Sequence, residues 1–100
     1  MNERKRLPQR RASETFDLPG YKVTVGYYNN GMPGEVFISA RKAGSDMSAI
    51  ARDAAILLSL AVQYGVPLIV IQGALTREQS GTSSTVIGRV VDKLCQTESI

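Results

Sequence analysis

One stretch constrains this chain more than any other: Ser45 to Tyr64, SDMSAIARDAAILLSLAVQY. Apolar residues recur at Met47, Ile50, Ala54, Leu57, Leu58 and Ala61, the spacing of one helix face, and that face is expected to be the buried one. Ser45 is placed to cap the first free amides, and Asp46 stands in the first turn, where the helix dipole favours a carboxylate. Gly65 supplies a left-handed stop, and Pro67 keeps Val66 out of the helical region. The polar residues Ser48, Arg52, Ser59 and Gln63 share one narrow arc, so that roughly two-thirds of the circumference is apolar or small, Asp53 excepted. A helix of this kind needs partners on more than one side, and the rest of the chain is expected to supply them.

Before it lies a strand-rich region. SETFDL (13–18) alternates loosely and ends at Leu18-Pro19-Gly20, a turn with Pro and then Gly at its centre. In YKVTVGYY (21–28), Tyr21, Val23, Val25 and Tyr27 face one way and Lys22, Thr24, Gly26 and Tyr28 the other. Asn29-Asn30-Gly31 is a hairpin signal, because Asn and Gly tolerate positive φ. The return strand, Glu35 to Ala40, puts Val36, Ile38 and Ala40 on one face and Glu35, Phe37 and Ser39 on the other. Three such strands are marginal by themselves and need a helical cover.

After the long helix, PLIVIQGALT reads as a short helix with Pro67 at its start and Leu68, Ile71 and Leu75 inward; the β-branched LIVI leaves a strand as the alternative. Residues 76–84 are loop by composition. Ser84 is then expected to cap a last helix carrying Val86, Ile87, Val90, Val91 and Leu94 at helical spacing. The fold class is therefore α+β: a three-stranded antiparallel meander followed by three helices packed on one face, β-β-β-α-α-α. Residues 1–11 form a basic arm, 12–96 a single domain and 97–100 a frayed tail.

Composition excludes more chemistry than it suggests. The 100 residues hold one Cys, Cys95, and no His, which removes an intramolecular disulfide, a Cys/His zinc site, and Ser-His-Asp or Cys-His catalysis. The acids are scattered singly, which argues against a carboxylate metal site, so no catalytic, cofactor or metal residue is assigned. No apolar run approaches the about 20 residues that span a bilayer, and no apolar segment follows the charged N-terminus. A soluble cytoplasmic protein without a membrane partner is expected.

The net charge of +3 is unevenly placed. Arg4, Lys5, Arg6, Arg10 and Arg11 against Glu3 give +4 in the first eleven residues, while the other eighty-nine carry seven bases against eight acids. The arm reads either as a segment that is solvated or lies along the domain with Leu7 as anchor, or as a phosphate-binding arm with Lys22, Arg41 and Lys42 as further contacts. Lys42, Gly44 and Ser45 make a possible anion seat before the long helix. Glu35 and Asp53 read as members of ion pairs, with Arg10 or Arg89 as partners for Asp53. Tyr21, Tyr27 and Tyr28 with Lys22 offer a base-stacking surface, but Tyr21 and Tyr27 share the face of Val23 and Val25, so only Tyr28 is expected to be free. Cys95 reads as a half-buried, inert thiol.

Several stretches together resemble one family. They are Arg6-Leu7-Pro8 with Arg10-Arg11, Thr24-Val25-Gly26-Tyr27, and Gly31-Met32-Pro33-Gly34-Glu35-Val36-Phe37-Ile38. Lys42-Ala43-Gly44-Ser45 and Ser59-Leu60-Ala61-Val62-Gln63-Tyr64-Gly65-Val66-Pro67-Leu68 complete the set. Over about residues 4–95 the chain resembles the TSCPD domain, found near the C-terminus of adenosylcobalamin-dependent (class II) ribonucleotide reductases and also as small free-standing proteins, the form expected here. The reductases work by a thiyl radical and a reducing dithiol pair in a large barrel. One Cys cannot supply both, no His is present to ligate cobalt, and the Cys-Pro-Asp string that names the domain is absent, Thr82-Ser83-Ser84 being the nearest approach.

The resemblance implies a non-catalytic accessory or regulatory module related to ribonucleotide reductase, acting by protein contacts with a reductase subunit. A homodimer is expected, through an apolar patch on the sheet or last helix; Phe37 and Tyr28 are the candidate interface residues, beside an unprotected sheet edge. The alternative is a small nucleic-acid-binding protein that uses the arm.

Overall fold

The computed structural model describes residues 3–42 and 46–98. The chain runs β1 (Ser13–Leu18), β2 (Tyr21–Tyr27), β3 (Pro33–Ala40), α1 (Asp46–Gln63), α2 (Leu68–Ala74) and α3 (Val86–Glu98). The three strands form one antiparallel sheet in the order β1-β2-β3, so the α+β expectation holds. Val23 pairs with Phe16 and Ile38, and Val25 with Glu14 and Val36. This register stacks Val23, Val25, Val36 and Ile38 on one face, where all four are buried. The outer face carries Thr15, Lys22, Thr24, Phe37 and Ser39, and Thr15 Oγ1 lies 3.1 Å from Thr24 Oγ1.

The core closes with Ala51, Ala55 and Leu58 of α1, Leu68 of α2, and Val90, Val91, Leu94 and Cys95 of α3. The inward positions expected for α2 hold: Leu68 is buried, and Ile71 and Leu75 pack against the core. Gly65, at φ 96°, ends α1 in the left-handed conformation. The cap of α3 differs from expectation. Thr85 Oγ1 accepts the Gly88 amide at 3.1 Å, whereas Ser84 Oγ is buried with no hydrogen-bond partner among the described residues. The helix also continues through positions 97 and 98, which were expected to fray. The Ser45 cap lies outside the described residues.

The rotation of α1 is the main correction. Its sheet-facing side is Ala51, Ala55, Leu58 and the two polar residues Ser59 and Gln63. Small alanines let the helix approach closely, and the polar pair meets the backbone of β3 at the sheet edge. Val36 N donates to Ser59 Oγ at 2.8 Å, Ser59 Oγ donates to Ala55 O at 2.8 Å, and Gln63 Nε2 donates to Gly34 O at 2.9 Å. That edge, expected to be unprotected, is covered at residues 34 and 36, the usual protection for exposed strand groups. Meanwhile Met47, Ile50 and Leu57, expected in the core, are 62%, 62% and 68% exposed. An apolar face and a polar arc would have packed the other way in a helix lying flat over a sheet; here the strand edge requires hydrogen-bonding side chains.

A second constraint joins α2, the following loop and α3. Asp92 on α3 receives Arg77 Nη2 at 2.6 Å, Ser83 Oγ at 2.6 Å and Gln72 Nε2 at 2.9 Å, and Arg77 Nη1 also donates to Gly81 O at 2.8 Å. Arg77 above all, then Ser83 and Gln72, hold the Asp92 carboxyl well below the usual carboxylate range.

Two outcomes are expected in urea denaturation. Ser59→Ala strands the Val36 amide and costs about 1–3 kcal/mol, whereas Leu57→Ala stays within roughly 0.5 kcal/mol of the parent; the reverse order would mean that α1 is rotated otherwise. For Asp92 the folded carboxyl titrates below the ordinary value of 3.8. Its contribution is therefore complete above that value and lost as pH falls below it toward the folded value. Asp92→Asn is expected to be less stable at neutral pH with a shallower acid limb, and an unchanged acid limb would contradict the linkage.

Candidate functional site: the arm against β3 and α1

The N-terminal arm lies along the domain, and its seat is made by the same residues that fix α1. Gln63 is buried and uses both ends of its amide: Nε2 donates to Gly34 O, and Oε1 accepts Arg4 Nε at 2.6 Å. The Gln63 carbonyl accepts the Lys5 amide at 2.7 Å. Tyr28 OH donates to the Lys5 carbonyl, and Lys5 Nζ sits 5.0 Å from the centroid of the Tyr28 ring, a cation–π distance. Burial is the largest cause raising the Tyr28 hydroxyl above its ordinary pKa, opposed by the charge of Arg4.

Gly34 is the point of closest approach. A Cβ there would meet Tyr28 Cε2 at 2.6 Å and Leu7 Cδ2 at 2.9 Å, so only glycine lets ring and leucine close over the strand. Further along, Arg11 Nε and Nη2 reach the two Glu35 carboxylate oxygens at 2.5 and 3.2 Å, and Arg11 Nη1 donates to Pro8 O at 2.7 Å. Between these contacts is a polar cavity of about 200 Å³ lined by Arg4, Arg6, Leu7, Arg11, Glu35 and Gln63.

The basic residues singled out from the sequence thus separate into two groups. Arg4 and Arg11 are engaged by Gln63 and Glu35, and Arg41 Nη2 lies 2.6 Å from Asp17 Oδ1. Lys5, Arg6, Arg10, Lys22 and Lys42 are exposed, Lys5 with its ammonium over Tyr28. Of the anion seat only Lys42 is described; Gly44 and Ser45 lie outside the described residues. Tyr28, expected to be free, is instead half-buried under the arm. Tyr27 packs against the core and donates to Glu14 at 3.1 Å. Phe37 is exposed as expected but stands among polar residues on the outer face. Glu35 is in the ion pair expected of it. Asp53 is exposed and belongs to none of the ion pairs among the described residues, because α1 turns it away from the sheet. Cys95 is buried in the core.

Sequence reasoning missed three things. Gln63 and Ser59, on the polar arc of the helix, face β3, and the Asp92–Arg77 cluster has no sequence signal, since its partners are drawn from a helix and a loop. Most of the exposed large apolar side chains lie on α1 and α2, at Met47, Ile50, Ile56, Leu57, Ile69 and Val70, with Phe37 on the sheet, and not on the last helix, whose Val90, Val91 and Leu94 are buried. Among the described residues no group of three or more Cys, Asp or Glu could hold a metal ion, and no helix is long and apolar enough to cross a membrane.

If Gly34 is what admits the arm, Gly34→Ala should raise the rate of tryptic cleavage at Arg6 and Arg10 by roughly tenfold while the domain stays folded. An unchanged rate, with the fold intact by circular dichroism, would show that the arm is held elsewhere.

Comparison with known proteins identifies the chain. Residues 3–97 match the model of the TSCPD domain. The chain is 46% identical over 72 residues to a vitamin B12-dependent ribonucleotide reductase of Rhodopirellula baltica, a match that covers 68% of this chain and 7% of that protein. Proteins of the same description from Bradyrhizobium diazoefficiens and Agrobacterium fabrum are 40% and 41% identical, over 68% and 66% of this chain and 6% of each relative. The matched segment is thus a small part of each of these relatives' length. No solved structure gives a significant match. With the family model spanning the arm, the sheet and all three helices, the chain belongs to the TSCPD domain family.

Proposed function

We propose that this chain is a cytoplasmic, non-catalytic accessory or regulatory module of ribonucleotide reduction, serving deoxyribonucleotide supply through protein–protein contacts with a reductase subunit. Residues 1–11 are its arm and 12–96 its contact domain. The observation that carries the reading is the outward apolar face of α1, which the fold does not use, on a domain related to vitamin B12-dependent reductases. Exposed contiguous apolar surface of this kind marks interaction sites. The residues present do not fit a role in holding the cobalamin or running the radical chemistry of such reductases. There is no His, and the one Cys is buried among Val90, Val91 and Leu94.

Nucleic-acid binding through the arm is the alternative, supported by the exposed charges of Lys5, Arg6, Arg10, Lys22 and Lys42 and weakened by the internal contacts of Arg4, Arg11 and Arg41. A tagged pull-down from the native cell, with and without nuclease, separates the two. The accessory reading expects a ribonucleotide reductase polypeptide to be recovered and to survive nuclease. Recovery of nucleic acid, with affinity that falls steeply with salt and is lost when residues 1–11 are removed, would replace it with the alternative.

A further inference from the structure

The exposed face of α1 has a pattern that a mere excess of apolar residues would not have. Met47, Ile50, Ala54, Leu57 and Ala61, with Tyr64 one residue past the helix end, follow one another at intervals of three and four, the spacing of a coiled-coil a/d seam. Its large members are exposed: Met47, Ile50 and Leu57 by about two-thirds each and Tyr64 by 40%. Its small members, Ala54 and Ala61, are the floor of an apolar groove of about 260 Å³ whose far wall is Ile71, Leu75 and Ile87 of α2, its C-terminal end and α3. A second groove continues past Met47, Ile50 and Ala54 to Val86 and Ile87.

Knobs and dents have equal spacing. Ile50 and Leu57 are separated by seven residues, as are Ala54 and Ala61, which is about 10.5 Å along a helix axis. Reversing a copy of α1 against itself puts Ile50 opposite Ala61, Leu57 opposite Ala54, and Met47 opposite Tyr64, each pair then repeated by the two-fold axis. Every central layer joins one large and one small residue, the condition for interdigitated packing. A face whose reverse is its own complement is what an isologous two-fold interface requires.

We infer that the α1 face is a self-association surface, and that its occupant is the antiparallel α1 of a second copy of this chain. Leu57 of each copy enters the groove of the other beside Ala54, against Ile87. Met47 and Ile50 are each 62% exposed, Leu57 68% and Tyr64 40%, apolar surface that an interface of about 800 Å² per partner would draw on. The flanks do not oppose it. Asp53 is the charged residue beside the middle of the seam, and the antiparallel register sets it opposite Leu60, with the two Asp53 carboxylates offset along the axis. The sheet face with Phe37, the surface first expected to pair, has a single apolar side chain among polar ones and no matching dent.

The inference deepens the protein-contact reading but is tested on the purified chain with no reductase present, so that either can fail without the other. Sedimentation velocity across a concentration series should show a monomer–dimer equilibrium. Leu57→Glu, at an exposed position where the fold is not at risk, should weaken it by about 30-fold or more, and Phe37→Glu should leave it unchanged. The register has its own readout. Ile50→Cys chains mixed with Ala61→Cys chains should give a mixed disulfide under mild oxidation, while each variant alone gives only the background of the buried Cys95. A chain that stays monomeric, a dimer that survives Leu57→Glu, or a dimer without the mixed disulfide would each overturn the inference. The first of these, combined with loss of reductase capture on Leu57→Glu, would assign the groove to the reductase itself.

Discussion

The rotation of α1 about its own axis depends on one side-chain amide. Gln63 is buried, donates to the Gly34 carbonyl of β3, accepts from Arg4, and lends its carbonyl to Lys5. Ser59, one turn earlier, does the same work at Val36. A buried amide with an unmet donor or acceptor costs on the order of 1–3 kcal/mol. Turning the helix by even a third of a revolution would leave Gln63, Ser59 and two backbone groups of β3 without partners. The core contacts of Ala51, Ala55 and Leu58 follow from that setting, as does the exposure of the opposite face.

Much of the fold was legible because the relevant signals are local. Alternation in 21–28, the turns at Pro19-Gly20 and Asn29-Asn30-Gly31, and Pro67 ahead of Leu68, Ile71 and Leu75 each act within a few residues, and the elements they imply are present. The direction in which α1 faces is not a local property. Its apolar positions exceed what a sheet can cover, so the pattern allows two orientations, and the choice rests on backbone groups of a strand more than twenty residues away. The same holds for Asp92: on a helical wheel it is an acid on a solvent face, and only tertiary structure brings Gln72, Arg77 and Ser83 to it. For the candidate site, Leu7 as anchor and Glu35 as an ion-pair member could be read ahead. The glycine at 34 that admits both Leu7 and Tyr28 could not, since its reason is a three-way approach of distant segments.

The arm illustrates how far composition can mislead about available charge. Five bases in eleven residues suggest a polyanion partner, yet part of that charge is consumed within the molecule. Arg11 donates to Glu35 and to two carbonyls, Arg4 is turned to Gln63, and the Lys5 ammonium sits over Tyr28. Guanidinium groups suit this task because they bridge planar acceptors while their stems cover apolar surface. The arm is thereby a structural strap across β3 and the end of α1, whatever further use its exposed Arg6 and Arg10 have.

The strap and the outward stripe are consequences of one arrangement. Because the C-terminal turn of α1 is held by polar contacts to β3 and the arm, the helix keeps its setting with its second apolar face outside the core. A protein selected only for its own stability would gain by placing polar residues at Met47, Ile50 and Leu57, where their exposure adds nothing to the fold and invites aggregation. Their alternation with the small residues Ala54 and Ala61 is the pattern on which the proposed self-association rests. In the proposed antiparallel register, Ile50 would meet Ala61 and Leu57 would meet Ala54, one large and one small residue in each layer.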